Sequence, residues 1–159
     1  MIHIRPILPA DRNELFRLFK TGKTFHTAEI NLAMEIIDQV LEQPDKEDYT
    51  ILCLCLGVDK VLAGYICFGP IPLTDACYDM YWILVDNKFS RRGLGSELVQ
   101  AMEERLVALK GRRIYIDTSS TPQYEPARSF YEKNGFWVAA VLEDFYRPGD
   151  DKIIYVKQV

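Results

Sequence analysis

The chain has no long apolar run. Stretches such as Ile51 to Leu56 fall far short of the ~20 apolar residues needed to cross a bilayer, so no membrane partner is expected. The opening Met1-Ile2-His3-Ile4-Arg5-Pro6 lacks the apolar core of a secretory signal. Histidine is scarce, with two residues, and the four cysteines show no Cys-x-x-Cys spacing. A metal site built from Cys53, Cys55 and the histidines lacks ligand spacing, so no metal is expected. Cys53 and Cys55 fall on one face of a strand, where a free thiol packs as a small hydrophobe. With Cys67 and Cys77 they read as reduced, which points to the cytoplasm. There is no excess of positive charge: the net charge is −4, and nucleic acid is not an expected partner. Linkers and internal repeats are also missing. With 159 residues, 48% of them apolar and 26% charged, residues 1–159 read as a single domain with its own core.

What is present is organised around Val85-Asp86-Asn87-Lys88-Phe89-Ser90-Arg91-Arg92-Gly93-Leu94-Gly95-Ser96. Before it, Tyr78 to Val85 is rich in aromatic and β-branched residues and reads as a strand. After it, Leu94, Leu98, Met102, Leu106 and Leu109 recur at helical spacing. A strand therefore feeds a helix through a short basic loop. The first N–H groups of such a helix lack partners within it, and the helix dipole favours an anion there. Gly93 and Gly95 let backbone approach that anion without a Cβ in the way. Lys88, Arg91 and Arg92 can add charge-assisted bonds. An ordinary strand-to-helix turn fits the two glycines equally well. The P-loop is excluded, because one residue separates the glycines and Ser96-Glu97 follows. The dinucleotide fingerprint is excluded because Leu98 stands where its third glycine belongs.

Arg91-Arg92-Gly93-Leu94-Gly95-Ser96, after a strand ending Leu84-Val85-Asp86, resembles motif A of the GNAT superfamily of acyl-CoA-dependent N-acetyltransferases. Ala127-Arg128-Ser129-Phe130-Tyr131-Glu132-Lys133-Asn134-Gly135-Phe136 resembles its motif B. The close resemblance runs from about Asp79 to Phe136; elsewhere only the order of elements matches.

That order follows from patterning. Ile2 to Leu8 is a strand. Asp11 is read as the N-cap of a helix carrying Leu15, Phe16, Leu18 and Phe19, stopped by Gly22. Thr27 caps a second helix to about Glu42. Tyr49 to Gly57 and Val61 to Phe68 form a hairpin. After the motif-A strand and helix, Gly111-Arg112 ends the helix and Arg113 to Thr118 is a strand. A helix from about Glu125 to Asn134 has Pro126 in its first turn and Gly135 at its C-terminus. Phe136 to Leu142 and Ile153 to Lys157 are strands around a turn at Arg147 to Asp151. Helices alternate with strands without strict βαβ repetition, which argues a mixed sheet covered by helices. The resemblance implies the α/β GNAT fold: a mostly antiparallel sheet of about seven strands, flanked by four helices, with two splayed parallel strands at its centre.

It also implies the chemistry. Acetyl-CoA is the expected co-substrate, its pyrophosphate cradled by Arg91, Arg92, Gly93, Leu94, Gly95 and Ser96. The pantetheine arm is expected along the backbone of Ile83, Leu84 and Val85, with the Val85 N–H polarising the thioester carbonyl. An acceptor amine must lose a proton before it attacks. Asp79, fourteen residues before Gly93, is the first candidate base, and is read as sharing a face with Tyr81 and Ile83. Asp117 is the second candidate and Asp75 a third. Tyr131 occupies the family's general-acid position, to reprotonate the thiolate. Two positions depart from the family pattern. Ser90 replaces a long Gln or Arg side chain. Tyr124 replaces an Asn seven residues before Tyr131, and its Pro122-Gln123-Tyr124-Glu125-Pro126 loop is read as shaping the acceptor side. Glu143, Asp144, Asp150 and Asp151 make the last hairpin acidic, which favours cationic amines. The expected activity is acetyl transfer to a primary amine of a small molecule or peptide, by direct attack in a ternary complex. A non-catalytic acyl-CoA-binding module on the same fold, and a longer acyl donor, stay open. Dimers are common in the family, so a homodimer stays open too.

Overall fold

The computed structural model describes residues 1–22 and 24–159. Its elements are β1 (Ile2–Pro6), α1 (Arg12–Thr21), α2 (Thr27–Glu42), β2 (Thr50–Leu56), β3 (Val61–Pro70), β4 (Cys77–Val85), α3 (Leu94–Ala108), β5 (Arg113–Ser119), α4 (Glu125–Lys133), β6 (Trp137–Arg147) and β7 (Asp150–Gln158). The strands form one sheet in the order β1-β2-β3-β4-β5-β7-β6. Every neighbouring pair is antiparallel except β4 and β5. This is the α/β architecture the element order predicts.

Both faces of the sheet are covered around β2 and β3, which explains why those strands are continuously apolar. Along β2, Leu52, Leu54 and Leu56 pack with Leu98, Met102 and Leu106 of α3. Ile51, Cys53 and Cys55 point the other way, into a cluster with Leu15, Phe19, Ala33 and Ile37 of α1 and α2. Period-two alternation of side chains thus builds two cores from one strand. All four cysteines are buried free thiols.

Several local expectations change. Asp11 makes no side-chain cap on α1. Its carboxylate instead takes two bonds from Arg5 and one from the Leu8 N–H, because the 3-10 turn at Pro9–Asp11 brings it back to the strand end. His26, not Thr27, is the N-cap of α2. At the end of α3, Lys110 takes the left-handed conformation rather than Gly111. A Cβ on Gly111 would lie 3.2 Å from the Tyr78 ring, so that glycine serves close packing. The final hairpin is longer than predicted, because Pro148-Gly149 alone makes its turn and Arg147 already pairs with Asp150.

Two irregularities in β4 open the sheet. Cys67 faces Trp82 and Phe68 faces Met80, so Tyr81 is an extra residue in the strand. Such a bulge bends the strand and resets which face its side chains take. Tyr81 and Trp82 both pack toward α1 and α2, whereas Met80, Ile83 and Val85 pack toward α3. Asp79 therefore does not share a face with Ile83, as strict alternation had suggested. Beyond the bulge β4 also leaves its parallel neighbour. Among the described residues the two strands pair only over Cys77–Asp79 and Arg113–Tyr115, and the rest of β5 is held by β7.

Candidate active site

The divergence of β4 from β5 opens a cleft of about 1210 Å³. That exceeds the roughly 300–1,000 Å³ of an ordinary single-ligand pocket and suits two substrates side by side. Ile83, Leu84 and Val85 line it. The Asp86 N–H donates to Ala63 O at 2.7 Å, so antiparallel alternation turns the amides of Asp86, Leu84 and Trp82 toward β3. Ile83 and Val85 then direct theirs to the opposite edge, where the gap lies.

Where β4 ends, the Asp86 side chain accepts from the Lys88 N–H at 3.0 Å and from Arg17 at 3.3 Å, which pins the start of the loop to α1. Arg91 (φ 61°) and Gly93 (φ 75°) are both left-handed, a conformation costly for Arg and nearly free for Gly. The chain then enters α3, whose first backbone acceptor, Gly93 O, is taken by the Glu97 N–H. The N–H groups of Leu94, Gly95 and Ser96 precede that bond and have no acceptor within the helix. Arg91, Gly93, Leu94, Gly95 and Ser96 all line the cleft, as do Asn87, Ser90 and Lys133. Arg92 is not among the lining residues; its guanidinium stands 5.7 Å from the Phe89 ring centre. Gly95 has a second use beside the one its sequence context suggests. A Cβ there would fall 2.8 Å from the Phe130 ring, so this glycine lets α3 and α4 touch.

Tyr131 lines the cleft from α4, packed against Phe130, Phe136 and Tyr155. Burial, and then Tyr155 and Tyr124, push its phenol up to about 12; it is a protonated donor throughout the neutral range.

The two leading carboxylates come together from adjacent strands. Asp79 pairs with Tyr115 at the last paired position before the gap, and Asp117 lies two residues further along β5, lining the cleft. Burial, then the nearby Asp117, raise Asp79 to about 6, with Lys152 opposing. Lys152 sits 3.0 Å from Asp117. Asp79 is the tuned member of the pair and Asp117 the one on the cleft wall. Asp75 lies outside the cleft, 94% exposed beside Arg112.

The mouth is framed by the loop around Tyr124, which the sequence singled out, and by Glu29, which no motif marked. Tyr124 Oη donates to Glu29 at 3.3 Å, and Gln123 Nε2 donates to Thr24 O at 2.9 Å, bridging the loop before α4 to the start of α2. Arg128 holds the other side, donating to the carbonyls of Ser119 and Thr121. Glu29, in the first turn of α2, is remote in sequence from both motifs.

The fold that carries this cleft is shared with known proteins. A family model described as acetyltransferase (GNAT) family matches residues 14–136. The chain belongs to this family. No curated protein sequence matches it. Among solved structures, a protein of Desulfovibrio desulfuricans assigned to the GNAT family as an acetyltransferase is 34% identical, covers 99% of each chain and has a TM-score of 0.94. The ribosomal-protein-S18-alanine N-acetyltransferase of Escherichia coli, at 17% identity and TM-score 0.77, covers 100% of this chain and 94% of its own. The PaiA N-acetyltransferase of Thermoplasma acidophilum, solved with coenzyme A, has 18% identity and TM-score 0.74, and covers 100% of this chain and 99% of its own. The last two share the GNAT fold. Membership makes the chain an acetyltransferase that uses acetyl-CoA as acyl donor. Among the described residues no group of three or more His, Cys, Asp or Glu side chains is placed to hold a metal.

Proposed function

We propose that this enzyme transfers the acetyl group of acetyl-CoA to a primary amine of a small molecule or peptide, by direct attack with both substrates bound. The observation that carries this reading is the continuity of the cleft. It runs from the free α3 amides, past the unpaired edge of β4, to Tyr131 and Asp117.

The residues fit the donor. Leu94, Gly95 and Ser96 offer N–H groups to the pyrophosphate, with the helix dipole behind them. Arg91 and Lys133 add positive charge, compensating for the short Ser90. The edge of Ile83–Val85 offers backbone pairing to an extended arm, as an added strand would use it. Acetyl-CoA supplies the acyl thioester; this chain supplies orientation, an oxyanion donor and proton transfer.

Asp79, directly or through water past Asp117, takes a proton from the acceptor ammonium. The neutral nitrogen attacks the acetyl carbonyl, whose oxygen gains charge and is met by the Val85 N–H. Asp79 passes that first proton to solvent; the C–N bond forms, the C–S bond breaks, and the amine's second proton then leaves to the freed carboxylate. Tyr131 donates its phenolic proton to the departing sulfur and is reprotonated from solvent. A phenol held near 12 stays protonated until the sulfur carries charge. The buried thiols support a reducing, cytoplasmic setting.

The test is acetyl-CoA-dependent thiol release across a panel of amines near pH 8, with a no-amine control. Release with one amine class is expected. No release above control, from protein that binds coenzyme A in calorimetry, overturns the reading in favour of a non-catalytic acyl-CoA-binding module.

A further inference from the structure

The cleft is divided by charge along its length. One end holds Arg91, Lys133 and the α3 amides; the other holds three carboxylates, Glu29, Asp117 and Asp150, against one cation, Arg147. Tyr124 and Tyr146 stand among these three carboxylates. Burial raises the Tyr146 phenol, and Asp117, Asp150 and Glu29 each raise it further, which places all three near one ring.

Asp150 has the most telling geometry. It is only 7% exposed. One of its oxygens accepts from Ser119 Oγ at 2.5 Å. The other has Arg147 Nε at 3.9 Å, beyond hydrogen-bond length, on a side chain that is 67% exposed. No buried side-chain oxygen or nitrogen among the described residues lacks a partner, so this second oxygen remains open to the cleft it lines. A carboxylate withdrawn from water favours a close cation or hydrogen-bond donor on its open oxygen. Lys152, the other cation here, is engaged with Asp117 at 3.0 Å. Among the described residues, Glu29 meets only neutral donors, the Tyr124 hydroxyl and the His26 N–H.

We propose that this end of the cleft binds a second positive charge on the acceptor, so that the preferred substrate is a diamine or polyamine. The inference rests on the acetyl-transfer reading above and names its acceptor class. The reacting nitrogen lies by Asp79 and Asp117. The second nitrogen is held by the open oxygen of Asp150 and by Glu29, over the faces of Tyr124 and Tyr146, where a cation is also attracted by the rings. Spacing follows from the strand. Asp117 and Ser119 are two residues apart, about 7 Å at the usual rise, and Ser119 holds Asp150. A short aliphatic diamine spans that distance. An acceptor with a carboxylate at the second position meets like charge and is rejected.

The test compares three acceptors of similar length: putrescine, butylamine and γ-aminobutyrate. Each is assayed for kcat/KM with the wild-type enzyme and with Glu29→Gln and Asp150→Asn. Putrescine is expected to exceed butylamine by about tenfold or more, chiefly through KM, with γ-aminobutyrate the poorest. The putrescine-to-butylamine ratio should fall severalfold in each variant and in high salt. Asp150→Asn keeps an oxygen for Ser119, and Glu29→Gln keeps one for the Tyr124 hydroxyl at a partly buried position, so a folding defect in one leaves the other to decide. Equal use of putrescine and butylamine, a preference for γ-aminobutyrate, or an unchanged ratio in both variants overturns the proposal. If none of the three reacts but another amine in the wider panel does, the diamine class is wrong and acetyl transfer stands. If no amine reacts while coenzyme A binds, both readings fall.

Discussion

The Phe130 ring occupies the space where a side chain on Gly95 would begin. An added Cβ would sit 2.8 Å from one ring carbon and 3.0 Å from the next. The first turn of α3 and the middle of α4 are locked by this contact, so the anion-facing amides and Tyr131 are positioned by the same pair of residues.

Gly95→Ala should destabilise the enzyme by about 1–3 kcal/mol through overpacking. Adding Phe130→Leu to it should recover part of that loss, because the two sites share one contact. A double-mutant cycle in urea checks the coupling. Additive effects would show that Phe130 yields freely.

Asp79 links activity and stability with opposite signs. Its carboxyl titrates near 6 in the folded protein, raised from an ordinary value of 3.8 by burial and by Asp117. The ionised form is disfavoured by folding, so stability is lost as pH rises from about 3.8 through 6. The base becomes available over the same interval. kcat/KM should rise through pH 6 in the wild type. In Asp79→Asn that limb should vanish, while the melting temperature at pH 8 rises above wild type and the gain shrinks below pH 4. An intact limb in Asp79→Asn, lost instead in Asp117→Asn, would assign the base to Asp117.

Tyr131→Phe should lower kcat by about 10²- to 10⁴-fold, the usual range for a general acid. The ring remains to pack against Phe136 and Tyr155, so calorimetric affinity for coenzyme A should change little. Unchanged turnover would remove Tyr131 as the acid.

Arg91 and Arg92 are neighbours with different expected consequences. Arg91→Ala should weaken coenzyme A binding about tenfold and flatten its salt dependence, as loss of one charge-assisted phosphate contact does. Arg92→Ala should cost much less, since that side chain does not line the cleft and leans on the Phe89 ring. Titrations at low and high salt separate the two. Equal losses would return Arg92 to the anion site.

The order of elements was legible because each apolar pattern is local. Ile51 to Leu56 could be read as a strand, and the Leu94, Leu98, Met102 and Leu106 stripe as a helix, without knowing their partners. The same holds for the two signatures and for the prominence of Asp79, Asp117 and Tyr131. Asp11 was misread because its signal, an acid before an amphipathic run, is the same for a cap and for a clamp on Arg5. The extra residue at Tyr81 is invisible in composition, yet it alone moves Ile83 to the other face. The mouth was hidden for another reason. Glu29 and Tyr124 are 95 residues apart, and nothing in either neighbourhood announces the other. Gly95 was assigned to anion approach because the ring that requires it lies on a different helix.

The unpaired edge of β4 also bears on how freely this protein can vary. A slot whose recognition groups are main-chain amides is reproduced by every translation of the gene, whatever side chains decorate the strand. Residues such as Ile83 and Leu84 can drift among bulky apolar types while the slot persists, provided the bulge and the parting of the strands survive. Structures only 17% identical keep the same fold. In the acetyl-transfer reading proposed above, the donor end is set by backbone shape, which leaves the acidic mouth free to diverge toward new acceptors.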